Sequence, residues 1–382
     1  MSSFDLDLNA CRARQARLWQ AIREPATAGL AVPAEPVDLI VVTQIENIQW
    51  LTGARFSALF QPAVAMGPAG DCLLVVPERW QGKAAADTLL PYSAKHHSTL
   101  RNDQRQVSTQ VLLEALRQRP GVRRIGVEFS TLGRHFDWPT AVELVDLEPL
   151  FYRLRRRKDP DELARQRHAI AATGAMYETA RRILRPGLSE VEMFVELQAT
   201  AVRFLDEPLT GTGNDFQCGS RGGSPRAGRV AAAGELYILD LGPAFRGYYA
   251  DTCRTLAVSE VSGAQQQAWE AIQPIFELVQ REVRPGVSAR GLFQQAQAIL
   301  DRAPHGVFNH HLGHGIGLYP HEAPHLNPNW DDYFEEGDTF TVEPGLYAEE
   351  LRAGMRLENN YLVTADGVEL LSDFPLELRL SG

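Results

Sequence analysis

A five-residue text occurs twice in this chain, as Arg185-Pro-Gly-Leu-Ser189 and again as Arg284-Pro-Gly-Val-Ser288. Each copy follows a stretch with helical spacing. Each also ends on a serine suited to cap the helix that comes next, with Phe194 or Phe293 inside it. The repetition predicts two related halves packed around a pseudo-two-fold axis. A site formed between such halves would draw side chains from both.

At 382 residues the chain is too long for one ordinary core, and two domains are expected. Residues 19–150 read as alternating short strands and helices. The compact apolar runs at 38–43, 71–76 and 124–128 suit buried strands, and 106–118 has helical spacing. A small α/β domain over 1–152 follows, with a larger domain over 153–382. Between them lies a basic run, Phe151-Tyr-Arg-Leu-Arg-Arg-Arg-Lys158, which reads as a solvated connector. Asp159-Pro160-Asp161-Glu162 then supplies a helix start, with proline in the first turn and acids at the positive end of the dipole. That helix is expected to run to about Leu184.

A net charge of −10 argues against a nucleic-acid surface, which needs a basic footprint. Cys11, Cys72, Cys218 and Cys253 are widely spaced and form no CxxC pair, so free thiols in a reducing compartment are expected. Residues 1–17 hold no signal-peptide core, and no run approaches the roughly 20 apolar residues of a membrane span. The expectation is a cytoplasmic protein with no membrane partner.

The larger domain carries acids where strands should be apolar. Leu236-Tyr-Ile-Leu-Asp240-Leu-Gly242 holds a carboxylate inside a strand-like run. Ala250-Asp251-Thr-Cys-Arg254 follows at a spacing that suits a second, antiparallel strand, with both acids on one side. Next come His310-His311-Leu-Gly-His314-Gly-Ile-Gly317, then Val342-Glu343-Pro-Gly345, then Arg356-Leu-Glu358-Asn-Asn360. Glycine on either side of His314 allows close backbone approach. Burying an unpaired carboxylate costs several kcal/mol, roughly, so each of these acids needs a partner. Four carboxylates balance two divalent cations, with His314 neutral. Two cations about 3.5–4 Å apart can clamp attacking and leaving oxygens and generate hydroxide near neutral pH. Oxygen-rich ligation with one imidazole suits Mn(II) first, and also Co(II), Zn(II) or Fe(II).

These motifs resemble the creatinase, prolidase and methionine-aminopeptidase family, and more narrowly its Xaa-Pro aminopeptidases and Xaa-Pro dipeptidases. The matching texts are LDLG, ADTCRT, GHGIG, VEPG and RLENNYLVT. Asn47-Ile-Gln-Trp50-Leu-Thr-Gly53 resembles a motif of the family's N-terminal domain, which methionine aminopeptidases lack. The resemblance implies an α+β chain: a C-terminal pita-bread domain with pseudo-two-fold symmetry behind a smaller creatinase-like α/β domain. It implies metal ligation by Asp240, Asp251, His314, Glu343 and Glu358, with Asp251 and Glu358 bridging. Glu343 would act as general base, and His310 and His321 would bind substrate or stabilise the tetrahedral intermediate. Arg356 would bind substrate, or support Glu358 or the site's charge balance, while His311 and His325 carry no role. The implied reaction is hydrolysis of the bond between an N-terminal residue and proline in small peptides, by a homodimer.

One loop departs from the family pattern. Gly219-Ser-Arg221-Gly-Gly-Ser-Pro-Arg226 places Arg226 where peptidase relatives carry histidine. An arginine cannot transfer protons but can clamp a carboxylate bidentately. Arg226 is therefore expected either to hold a substrate carboxylate or to mark a different reaction, such as a lyase step on a small molecule, on the same metal scaffold.

Overall fold

A computed structural model describes residues 4–24, 37–117, 119–138, 141–213 and 215–379. The chain divides into two compact units, Met1–Arg155 and Arg156–Gly382.

The first unit is built on a mixed six-stranded sheet. Its order is Thr88–Tyr92, Cys72–Pro77, Ala63–Met66, Leu39–Val42, Arg124–Val127, Glu143–Asp146. The three runs expected as strands all lie in it, and Pro77 falls inside its strand rather than after it. The expected helix runs over Gln104–Leu116; Gln118, its expected end, lies outside the described residues. Gly53 closes helix Ile45–Thr52 in the left-handed conformation at φ 74°, which explains the glycine ending the Asn-x-x-Trp-Leu-Thr-Gly text. Asn47 of that text is buried and donates to Glu128 Oε1 at 2.7 Å while accepting from Arg155 Nη1 at 2.8 Å.

In the second unit the repeated text does the same job twice. Ser189 caps helix Glu190–Leu205 by accepting from Glu192 N, and Ser288 caps Ala289–Leu300 by accepting from Gly291 N. The preceding glycines both take positive φ, 85° at Gly187 and 88° at Gly286. Their amides donate at 2.8 Å to equivalent carbonyls, of Ala231 and Phe334. Each half therefore comprises a long helix (Pro160–Ile183 or Gly263–Glu282), a turn and a second helix, with a sheet beside them. One sheet has the order Thr252–Ala257, Leu236–Leu241, Asp215–Cys218; the other runs Glu322–Leu326, Gly313–Gly315, Thr339–Val342, Asn359–Val363, Val368–Leu370. The apolar faces of the helices bury Met176, Leu197 and Leu239 in one half, and Ile272, Leu292 and Phe340 in the other.

The basic run is solvated only in part: Arg157 is exposed, but three of its cations are not. Arg155 bonds Asn47, Arg156 makes two bonds to Asp338 at 2.9 and 2.6 Å, and Lys158 meets Glu322 at 3.1 Å. All three cations are buried. A charge run shows its donors in sequence but not its acceptors, and here those lie far along the chain. Helix Pro160–Ile183 starts where expected, with Asp159 and Glu162 forming a capping box.

Candidate functional site

Register explains how the acids meet. Leu236–Leu241 and Thr252–Ala257 pair antiparallel with Asp240 opposite Cys253, so Asp240 and Asp251 lie on one face. In the other sheet Val342 pairs with Asn359, which makes Glu343 and Glu358 the next positions beyond the paired ends. Glu358 falls between two short strands rather than within one, and its amide donates to Cys253 O at 2.9 Å, fixing it beside the first pair of acids. His314 sits in Gly313–Gly315. A Cβ on Gly313 would collide with the Thr341 carbonyl oxygen, and one on Gly315 with that of Ala323. The two glycines thus let three strands close around the histidine.

The five residues are at most 8% exposed. Their ligating atoms form two groups, Asp240/Asp251/Glu358 and His314/Glu343/Glu358, each with atoms mutually within 4.8 Å. Glu358 belongs to both. The His314 Nδ1 lies 3.0 Å from the Gly315 carbonyl oxygen, which can only accept, so Nδ1 carries the proton. The lone pair is left on Nε2, 3.6 Å from Asp251 and 3.5 Å from Glu343.

Charge in this cluster is poorly compensated. Burial, then the neighbouring carboxylates, push Asp251 and Glu358 well above the ordinary carboxylate range. Glu343 is pushed up to about 8 by burial, with Arg356 opposing and Asp240 and Asp215 adding to the rise. Burial and the adjacent His321 hold His314 well below the usual imidazole range. Asp240 Oδ1 and Glu358 Oε2 are buried without a hydrogen-bond partner among the described residues. Orphaned carboxylate oxygens around a neutral imidazole are the donor set that divalent cations satisfy.

Arg356 is the cation bonded into the cluster. Its Nη2 reaches Asp240 at 2.7 Å and also Asp215, while Nη1 donates to Tyr347 Oη at 3.3 Å. Asp215 was not anticipated. It pairs directly opposite Asp240 in the sheet, where two like charges repel unless a cation bridges them. Its sequence context gave no apolar run to mark it.

A cleft of about 320 Å³ opens onto the cluster and is lined by all five residues together with Asp215, Arg221, His310, His311, His321, Tyr347 and Arg356. A recess of about 600 Å³ adjoins it, sharing His310, His311, His314 and His321. His321 stacks on His314 with ring centroids 3.7 Å apart. His310 Nδ1 donates to His311 O at 2.7 Å, leaving Nε2 to accept from Tyr347 Oη at 3.1 Å. Burial and the Arg356 charge hold His310 down to about 3, so it stays neutral. His311, expected to be without a role, lines both spaces, with Nε2 3.6 Å from Glu343. His325 is bonded to Asp332 at 2.8 Å and stacks on Trp330 in the recess.

Arg226 is not among the residues lining either space. Its Nη2 donates to Glu190 Oε1 at 2.6 Å and Cys218 O at 2.7 Å, and its Nε and backbone amide donate to Glu190 Oε2. The guanidinium expected to clamp a substrate is spent on a fully buried helix-start carboxylate. The loop instead presents Arg221 to the cleft.

Residues 164–365 match the model of Metallopeptidase family M24, and residues 31–157 that of the Creatinase/Prolidase N-terminal domain. The chain belongs to metallopeptidase family M24. Its curated relatives include a putative dipeptidase, YkvY, of Bacillus subtilis, 28% identical over 62% of this chain and 66% of that protein. A Xaa-Pro dipeptidase of Lactobacillus helveticus is 28% identical over 64% of this chain and 67% of its own length. The aligned stretch thus spans about two thirds of these relatives. Among solved structures, the Xaa-Pro dipeptidase from Bacillus anthracis superposes with a TM-score of 0.80 at 22% identity, covering 97% of this chain and 99% of that one. The prolidase from Pyrococcus furiosus gives 0.75 at 20% identity, covering 94% and 99%. The fold is the α+β pita-bread architecture behind a creatinase-type N-terminal domain. No helix among the described residues is long and apolar enough to cross a membrane, and all four cysteines are buried and free.

Proposed function

We propose that this chain is an exopeptidase that hydrolyses the bond between an N-terminal residue and proline in small peptides, using two divalent cations. One observation carries the reading: four buried carboxylates and one imidazole form two donor sets that share Glu358. Asp240, Asp251 and Glu358 would hold one ion, and His314, Glu343 and Glu358 the other, with Asp251, 3.6 Å from His314 Nε2, also placed to serve both. When bound, such ions supply the positive charge that polarises a carbonyl and acidifies water at neutral pH. Mn(II) fits the oxygen-rich set best.

The chain's own groups supply the rest. Glu343 takes the proton of the attacking water and passes it to the departing proline nitrogen. Arg356 keeps Asp240 and Asp215 from repelling one another and holds Asp240 in place. His321, stacked on His314 at the cleft, donates a hydrogen bond to the substrate carbonyl. His310, neutral and bonded to Tyr347, sets the position of that phenol. The active form is a homodimer, as the resemblance to Xaa-Pro peptidases implies, and its four free cysteines suit the reducing cytoplasm.

The loop at Arg226 favours a second reading. With Arg226 tied to Glu190, the loop brings no proton-carrying group to the cleft at the position where peptidases keep histidine. A lyase-type reaction on a small molecule could use the same metal scaffold without one. The deciding experiment is turnover of Xaa-Pro dipeptides and longer Xaa-Pro peptides by protein loaded in turn with Mn(II), Co(II), Zn(II) and Fe(II). Release of the N-terminal residue supports the peptidase. No cleavage with any metal overturns it in favour of the second reading.

A further inference from the structure

Two cations line the cleft among the described residues, Arg356 and Arg221. Arg356 is buried and committed to Asp215, Asp240 and Tyr347. Arg221 differs on each count. Its side chain is exposed, and its Nη2 donates to Asn309 Oδ1 at 2.6 Å. A guanidinium has five N–H donors in a fixed fork, so this bond leaves an edge for a planar anion.

That edge is held in place. The Arg221 guanidinium carbon lies 4.0 Å from the centroid of the Tyr347 ring. Tyr347 is fixed in turn by His310 and Arg356, and the Arg221 carbonyl accepts from Arg356 Nη1 at 3.5 Å. A donor pair set by its surroundings loses little freedom on binding. Apart from the ions the site would hold, the rest of the cleft wall is carboxylate, phenol or imidazole, which repels a substrate carboxylate or brings it no fixed positive charge.

We infer that Arg221 binds the free C-terminal carboxylate of a dipeptide substrate and thereby sets a preference for dipeptides over longer peptides. The inference rests on the peptidase reading above. An extended dipeptide spans at most about 7 Å. With its scissile bond at the carboxylate cluster, its terminal carboxylate lies within one residue of that point. The Arg221 guanidinium lies against the ring of Tyr347, whose hydroxyl accepts from Arg356, and Arg356 in turn bonds Asp240 of the cluster. A longer peptide has an uncharged amide at that place.

The test compares kcat and KM of the Mn(II)-loaded protein on an Xaa-Pro dipeptide and on the same dipeptide with its C-terminus amidated. A bond to a charged group predicts that the wild type favours the free acid by about 10–100-fold, through KM. Arg221→Ala removes that preference, and Arg221→Lys, a point charge without the fork, keeps part of it. A wild type that cleaves both alike, or an Arg221→Ala variant that loses equally on both, overturns the role given to Arg221 and leaves the peptidase reading standing. A wild type that cleaves neither overturns the peptidase reading, and this inference with it.

Discussion

Arg226 closes on Glu190 through both its side chain and its backbone, with Nη2 to Oε1 at 2.6 Å and the amide to Oε2 at 2.8 Å. The Glu190 side chain is wholly buried, while that of Arg226 is 41% exposed. The contact ties the loop after strand Asp215–Cys218 to the start of helix Glu190–Leu205.

Removing the guanidinium should therefore cost stability rather than selectivity. Breaking a fully buried pair costs about 3–5 kcal/mol. Arg226→Ala should cost less, about 2 kcal/mol, because water reaches Arg226 and two backbone amides still serve the carboxylate. Against the desolvation of its burial, the Arg226 bonds hold Glu190 below the ordinary carboxylate range. A lowered folded pKa gives stability that is present above the unfolded value and is lost as pH falls through the folded one. The gap between wild type and variant in urea unfolding should thus be full at neutral pH and shrink below about pH 4. The ratio of activity on a dipeptide to that on its amide should stay unchanged in this variant. A gap that persists at low pH would show that Glu190 is not the group concerned.

Glu343 is the carboxylate proposed to carry the proton. It is hydrogen-bonded to the Thr341 side chain. Glu343→Gln keeps the shape and that bond but can no longer accept a proton. Loss of a general base costs about 10²–10⁴-fold in rate. The expected result is a fall in kcat of that size, measured with metal content checked on the same sample. Activity within tenfold of wild type in a variant that still holds its metal would remove Glu343 from the role.

How much of this was open to reading in the sequence depends on what each residue shows locally. Asp240 was legible because a carboxylate inside Leu-Tyr-Ile-Leu is costly to bury and needs a reason. The two Arg-Pro-Gly turns were legible because both halves solve the same helix-to-helix problem with the same residues. Asp215 and Tyr347 were not, since Asp215 matters through Arg356, and Tyr347 through Arg356, His310 and Arg221, contacts set by how distant parts of the chain meet. The pairing of Arg226 with Glu190 was hidden for the same reason. So was the burial of Arg155, Arg156 and Lys158, whose acceptors Asn47, Asp338 and Glu322 no local pattern links to them.

Because Glu358 belongs to both donor sets, its loss should differ in kind from loss of Asp240. Elemental analysis after Mn(II) loading and gel filtration should give about two ions per chain for the wild type, as the dinuclear reading requires. Asp240→Asn should retain about one, and Glu358→Gln less than one. The metal-free forms provide a control for folding. Glu358 is buried and raised by its burial and by Asp251, so neutralising it relieves repulsion. Metal-free Glu358→Gln should melt no lower than metal-free wild type. Two ions retained in the Gln variant would show that the bridge is wrongly placed.

Gly315 should accept even a methyl side chain only at a cost, although the ligating nitrogen belongs to its neighbour His314. A Cβ there would overlap the Ala323 carbonyl oxygen and press on that of Glu322. Both obstacles are backbone, in the strand paired with Gly313–Gly315, and the pairing already shifts register between His314 and Gly315. The strand must move away to make room, at a cost of about 1–3 kcal/mol, as for other overpacked sites. The Gly315 carbonyl fixes the His314 tautomer, so the same movement disturbs Nε2. Gly315→Ala should therefore lower the melting temperature of the metal-free protein and also weaken Mn(II) binding by about 10–100-fold, the range seen when a ligand's supporting bond is lost. Calorimetric titration of Mn(II) into wild type and variant measures the second effect separately from the first. Unchanged affinity in a destabilised variant would mean that this glycine serves the strand pairing alone.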